Sequence, residues 1–232
     1  MDFTPDDDHL AIVDAVDRVC SDFDDAYWAE RDERHEFPWD FYSAMAAGGW
    51  LGVAIPEQFG GGGRGITECA LVLNRVAASG AAMNGSSALH LTMFGLNPVV
   101  KFGSDRLRQA FLPRAATGDL HVAFGVTEPD AGTDTSRIST RATDDGHGGY
   151  VIRGRKIWTT KAMESEVCLL LARTDDATDL DRFGGLSLFL VDLDPDHVDI
   201  APIPKLGRNA VRSEEHTSEL QSLTNLVFPH ML

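Results

Sequence analysis

The chain has 232 residues, 43% of them hydrophobic, enough for one large domain or two modest ones with a substantial core. Its 36 acidic residues against 20 Lys and Arg give a formal charge of -16, which argues against nucleic acid as a partner, because phosphate binding needs clustered cations. Three widely spaced cysteines without a C-x-x-C pair, and histidines without ligand spacing, argue against disulfides and metal ligation and suit a reduced, cytoplasmic setting.

Along the chain, Thr4 followed by Pro5 and Asp7 predicts a helix start, with a capping hydroxyl, proline in the first turn and early acids. Leu10, Val13, Val16, Val19 and Phe23 then share one helical face. Further helices are predicted over 38–47, closed by Gly48, over 67–78, over 86–102, and from Ser104 through Pro113 to about Gly118. Between them, Gly60, Gly61, Gly62 and Gly63 look like a phosphate cradle, but no Lys-Ser/Thr follows, so a tight turn is the better reading. Five helices predict an all-α domain over residues 1–119.

After that point the period shortens to two. Strands are expected over 121–126, 138–142, 150–153, 154–160, 167–173, 186–192 and 200–203, separated by turn-rich stretches at 144–149 and 175–185. The fold class is therefore α+β and multidomain, an N-terminal helical domain followed by a small antiparallel β-barrel domain over 120–211. The acidic N-terminus carries no visible signal peptide, and no apolar run reaches the length of a membrane span.

Two motifs carry chemistry. The first is Phe124-Gly125-Val126-Thr127-Glu128-Pro129-Asp130-Ala131-Gly132-Thr133-Asp134, where a strand runs into a turn rich in backbone N–H groups and hydroxyls. Pro129 fixes its own backbone angle, and Gly132 permits a close approach that a Cβ would block. Such a turn can clasp a planar polar edge or a pyrophosphate. The second is Gly154-Arg155-Lys156-Ile157-Trp158-Thr159-Thr160, which adds an indole and two hydroxyls. On residues alone, Trp158 also reads as core packing and the threonines as ordinary strand formers.

In this order and spacing the pair resembles the acyl-CoA dehydrogenase family. Pro56-Glu57-Gln58-Phe59-Gly60-Gly61 and Pro204-Lys205-Leu206-Gly207-Arg208 are similar to other segments of it, so the resemblance runs to about Ser213. It implies FAD as cofactor, an acyl-CoA thioester as substrate, electron-transferring flavoprotein as acceptor, and a homodimer or homotetramer at full length. It also implies that Phe124, Val126 and Thr127 lie along the flavin edge. Gly132 and Thr133 would sit beside the pyrophosphate and the coenzyme A chain, Thr133 touching substrate as well. Trp158, Thr159 and Thr160 would cover the other side. Lys161 is then either a cation beside the cofactor or a solvent-facing side chain. Glu128 is expected to brace its turn rather than act as base. The family's base comes from a C-terminal four-helix bundle, which is expected to be missing, so no catalytic residue is assigned. A flavin monooxygenase, an acyl-CoA oxidase or a non-catalytic flavin- or coenzyme A-binding module on the same fold are the alternatives. From Arg212 onward the chain resembles a reading frame of a DNA-sequencing adapter, and 212–232 is expected to be a non-native tail.

Overall fold

The computed structural model describes residues 5–178, 181–222 and 225–228, with backbone alone from 215 onward. Thr4 lies outside the described residues. Asp6 caps instead, its carboxylate accepting the His9 N–H at 2.8 Å as α1 (Asp7–Ser21) begins. Asp24 does the same for α2 (Asp25–Arg34), which periodicity does not reveal because Trp28 is its one buried residue. Both α3 (Trp39–Ala47) and α4 (Ile66–Ala78) fall where expected. The helix expected over 86–102 is instead two, α5 (Ala82–Phe94) and α6 (Asn97–Phe102). Pro98 lacks an N–H and is best accommodated in a first helical turn, where it sits at the start of α6. Next comes α7 (Asp105–Thr117), with the Ser104 hydroxyl accepting the Leu107 N–H at 3.3 Å.

Val16, Phe41, Met45, Val72, Val76 and Leu89 build the helical core, and Phe41 meets the rings of Phe23 and Trp28 edge-on at 5.4 and 5.0 Å. Leu10, expected on the buried face, is exposed. The glycine run is a turn. The N–H groups of Gly62, Gly63 and Arg64 each donate at 2.9 Å to carbonyls of Gly52, Ile55 and Val53, and a Cβ on Gly61 would collide with the Ile55 carbonyl. Amides engaged this way cannot cradle a phosphate.

The chain forms two compact units. One holds α1 to α5, Gln109–Leu120 and Lys205–Val211; the other holds Gly95–Arg108, His121–Pro204 and the chain from Arg212. Lys205–Val211 thus belongs with the helices: the Asp32 carboxylate accepts the N–H groups of Asn209 and Ala210, and Val211 is buried in the helical core.

The second unit carries β1 (Val122–Gly125), β2 (Arg141–Asp144), β3 (Tyr150–Thr160), β4 (Val167–Arg173), β5 (Leu186–Asp192), β6 (Val198–Pro202), β7 (Ser213–Ser222) and β8 (Asn225–Phe228). They form one sheet ordered β6-β7-β3-β2-β4-β5-β8, with β1 on β4. Pairing is mixed rather than wholly antiparallel, since β1 and β2 each meet β4 in parallel. The two short strands expected over 150–160 are one. Gly154 is not a break but a contact point, where a Cβ would collide with Thr140. Within the segment set apart as a tail, β7 pairs with both β3 and β6. No helix among the described residues is long and apolar enough to cross a membrane.

Candidate functional site

The first motif is a loop anchored by charge. Glu128 and Ala131 exchange N–H···O bonds of 3.0 and 3.2 Å, closing a tight turn over Pro129 and Asp130. Below it, the buried Glu128 carboxylate accepts the Ser139 N–H at 2.6 Å, the Ser139 hydroxyl at 2.7 Å, the Thr140 N–H at 2.9 Å and the Lys156 ammonium at 2.9 Å. Burial alone would raise this carboxyl, but those hydrogen bonds and the Lys156 charge outweigh it and hold Glu128 at about 2. Burial pulls Lys156 below its ordinary range, against the opposing pull of Glu128. With a carboxylate at 2.9 Å the amine stays protonated, so the pair is ionic at neutral pH. The Lys156 ammonium also donates to the Val126 carbonyl at 2.9 Å. Farther along, buried Arg173 donates to the carbonyls of Ser136 and Gly184 at 2.8 Å and of Ile138 at 3.4 Å, tying down the far side of the loop.

The second motif sits on a β-bulge. The register of β3 against β7 breaks between Lys156 and Thr159, and Trp158 takes φ of 62°, a left-handed conformation rare for a bulky residue. The bulge lifts the indole outward, leaving it 54% exposed. Thr159 turns inward and is buried, and its hydroxyl has no hydrogen-bond partner among the described residues. Thr160 is half-buried. Lys161, also at positive φ, is fully buried, so it is neither solvent-facing nor a cation on the exposed edge. Burial pushes it down to about 7, with Glu164 opposing. Burial, then the Lys161 charge, push His121 down to about 4.

Besides the two bonds from the Lys156 ammonium, a backbone bond joins the motifs: the Ile157 N–H donates to the Thr127 carbonyl at 2.9 Å. Phe124, Val126, Thr127, Trp158 and Thr160 are therefore held on neighbouring edges, and each keeps some exposure. Gly132 and Thr133 are exposed, and the space a Cβ on Gly132 would fill is open. Met93 and Leu96 are buried in core, whereas Phe94 is exposed. Sequence reasoning misses Lys156 and Arg173 as supports of the loop. The available signal is position: Lys156 shares the inward alternation of Ile152, and Arg173 closes a strand buried along its whole length. Among the described residues no cluster of three or more His, Cys, Asp or Glu is placed to hold a metal.

An exposed indole and phenyl ring, a ladder of backbone polar groups and an open glycine turn suit a planar heteroaromatic ligand with an anionic tail. Comparison with known proteins gives the same direction. Residues 6–119 match the pattern of "Acyl-CoA dehydrogenase, N-terminal domain", and residues 123–221 that of "Acyl-CoA dehydrogenase, middle domain". The chain is similar to acyl-CoA dehydrogenase fadE12 of Mycobacterium tuberculosis, 32% identical over 206 residues that span 87% of this chain and 50% of that one. Among solved structures, an FAD complex of PigA superposes with a TM-score of 0.84 at 27% identity, covering 97% of this chain and 59% of that one. Butyryl-CoA dehydrogenase from Megasphaera elsdenii gives 0.85 at 23% identity, over 97% of this chain and 60% of that one, a likeness of fold. The chain spans about half the length of the curated relatives it matches.

Proposed function

The chain belongs to the acyl-CoA dehydrogenase family, and on that premise we propose that it binds FAD across its two motifs for α,β-dehydrogenation of an acyl-CoA thioester. The observation that carries the reading is the bulge that holds Trp158 outward at a strained backbone angle beside the Thr127 turn. A left-handed tryptophan costs on the order of 1–2 kcal/mol, and such strain concentrates at ligand sites. The residues fit FAD. Phe124 and Trp158 offer exposed aromatic surface, Thr127 and Thr160 bring hydroxyls to the two edges, and the open space at Gly132 admits a pyrophosphate close to the backbone. FAD, when bound, supplies the acceptor for the substrate hydride.

This chain's part is to bind and orient. Thr133 is assigned to the coenzyme A chain as well as to FAD. Glu128 does not act as base, because a carboxyl held at about 2 by four donors is a poor proton acceptor. The base is assigned to a part of the protein beyond these 232 residues, as are most of the acyl pocket and the homo-oligomer contacts. Electron-transferring flavoprotein is the proposed acceptor, and the cytoplasm the proposed compartment.

FAD titration of the chain, followed by flavin fluorescence and the shape of the visible bands, tests the reading. Saturable binding is expected, with Trp158→Ala weakening it roughly tenfold, equivalent to about 1.4 kcal/mol of lost ring contact. Absence of saturable binding by a folded chain would sink the proposal. Turnover of an acyl-CoA with a dye acceptor by the 232 residues alone would refute the placement of the base.

A further inference from the structure

We propose that Glu128 and Lys156 form an ionic latch that aims the Thr127 N–H out of the domain, as a donor to the polar edge of the flavin. The inference rests on the flavin reading above but concerns two residues which that reading leaves unused.

The argument begins with peptide geometry. In a trans peptide the carbonyl of one residue and the N–H of the next point in opposite directions, and no cis bond is present among the described residues. Lys156 holds the Val126 carbonyl inward at 2.9 Å. The Thr127 N–H, on the opposite side of the same peptide plane, must then point outward. The next peptide is fixed by the same logic. Ile157 draws the Thr127 carbonyl toward β3, and the Glu128 N–H turns away to the Ala131 carbonyl at 3.0 Å. Two consecutive peptide planes are thus set by bonds from β3.

Glu128 makes this possible. A buried ammonium without a counter-charge would lose its proton or leave the interior. The carboxylate at 2.9 Å keeps it charged and in place. The same carboxylate gathers Ser139 and Thr140, so the start of the motif and the chain entering β2 share one anchor. Both side chains are nearly inaccessible, 1% and 4% exposed, so neither touches a ligand; they are positioning residues.

The test uses the double variant Glu128→Gln with Lys156→Met beside each single variant. The singles leave one buried charge uncompensated and are expected to fold poorly. The double removes both charges, keeps much of the volume, and is expected to melt close to the parent. It releases the Val126 carbonyl all the same. In the folded double variant, FAD should bind at least about tenfold more weakly with altered visible band shape, the loss expected for one misdirected hydrogen bond. Parental affinity and band shape would show the pair to be structural only. If the parent itself binds no FAD, the flavin reading fails, and the latch is judged on amide exchange without ligand. Exchange at Glu128 and Ile157 should then accelerate about tenfold or more in the double variant while β4 is unchanged. Unchanged exchange at those two amides would overturn the latch.

Discussion

Lys161 shows what one residue contributes and what it costs. Its amine is fully buried and held at about 7, against an ordinary value of 10.5. A lysine with a depressed folded value binds its proton more readily in the unfolded chain, so stability rises with pH between those values. The destabilisation is complete below about pH 7 and gone above 10.5. His121 acts in the same sense between 4 and 6.5. Glu128 contributes stability that is fully present above 4.5 and lost as pH falls through 2. Lys161→Met should therefore raise the melting temperature strongly at about pH 6, by the equivalent of up to about 5 kcal/mol, and little at about pH 10. Melting curves of parent and variant that stay parallel across that range would refute the burial penalty. Sequence gives no sign of this lysine's inward turn, because the signal is a positive φ at a non-glycine residue, set by the neighbouring bulge.

The bulge in β3 belongs to the scale of the element. Trp158 bears a left-handed backbone angle for the sake of its outward indole, and its exposure means that little packing is lost when it is removed. Glycine relieves the angle but adds unfolded-state freedom, two terms of about 1 kcal/mol and opposite sign. Trp158→Gly should leave stability within about 1 kcal/mol of the parent in a denaturant titration, where an ordinary tryptophan truncation costs about 3–5 kcal/mol. A loss in that larger range would mean that the indole packs as core. Elements with one clear period are legible in the sequence: α4, β4 and β5 lie within a residue of their expected bounds. Elements defined by exceptions are not. One end of α2 to the other, the chain buries a single residue, Pro98 divides an apolar run that reads as continuous, and Gly154 looks like a break while serving as a contact. The site follows the same rule. The turn at Gly132 and the indole at Trp158 announce themselves by composition, whereas Lys156 and Arg173 gain meaning only once the sheet brings them under the loop.

At the scale of the whole molecule two features stand out, the continuation of the sheet past Arg212 and the charge. The segment 212–232 is set apart by its sequence, yet Ser213–Ser222 runs as β7 between β3 and β6, and the middle-domain match extends to residue 221. Strand pairing rests on backbone N–H and C=O groups, which every residue carries, proline lacking only the N–H, so composition alone does not decide what fills a place in a sheet. Charge, by contrast, is a property of composition and acts at a distance. A formal charge of -16 makes the compact state repel itself. Local ion pairs oppose this only weakly: Asp17 and Arg75 make a two-bond pair at 2.7 and 2.9 Å, but partly exposed pairs contribute about 0–1 kcal/mol each. Raising NaCl shortens the screening length from about 10 Å at 0.1 M to about 3 Å at 1 M, which weakens long-range repulsion more than contact pairs. The melting temperature should therefore climb by several degrees from low salt, most of the rise coming below about 0.3 M as screening saturates, and KCl should give the same curve. A flat or falling curve would mean that the ion pairs outweigh the repulsion. A steady climb that depends on the salt's identity would assign the effect to surface hydration instead.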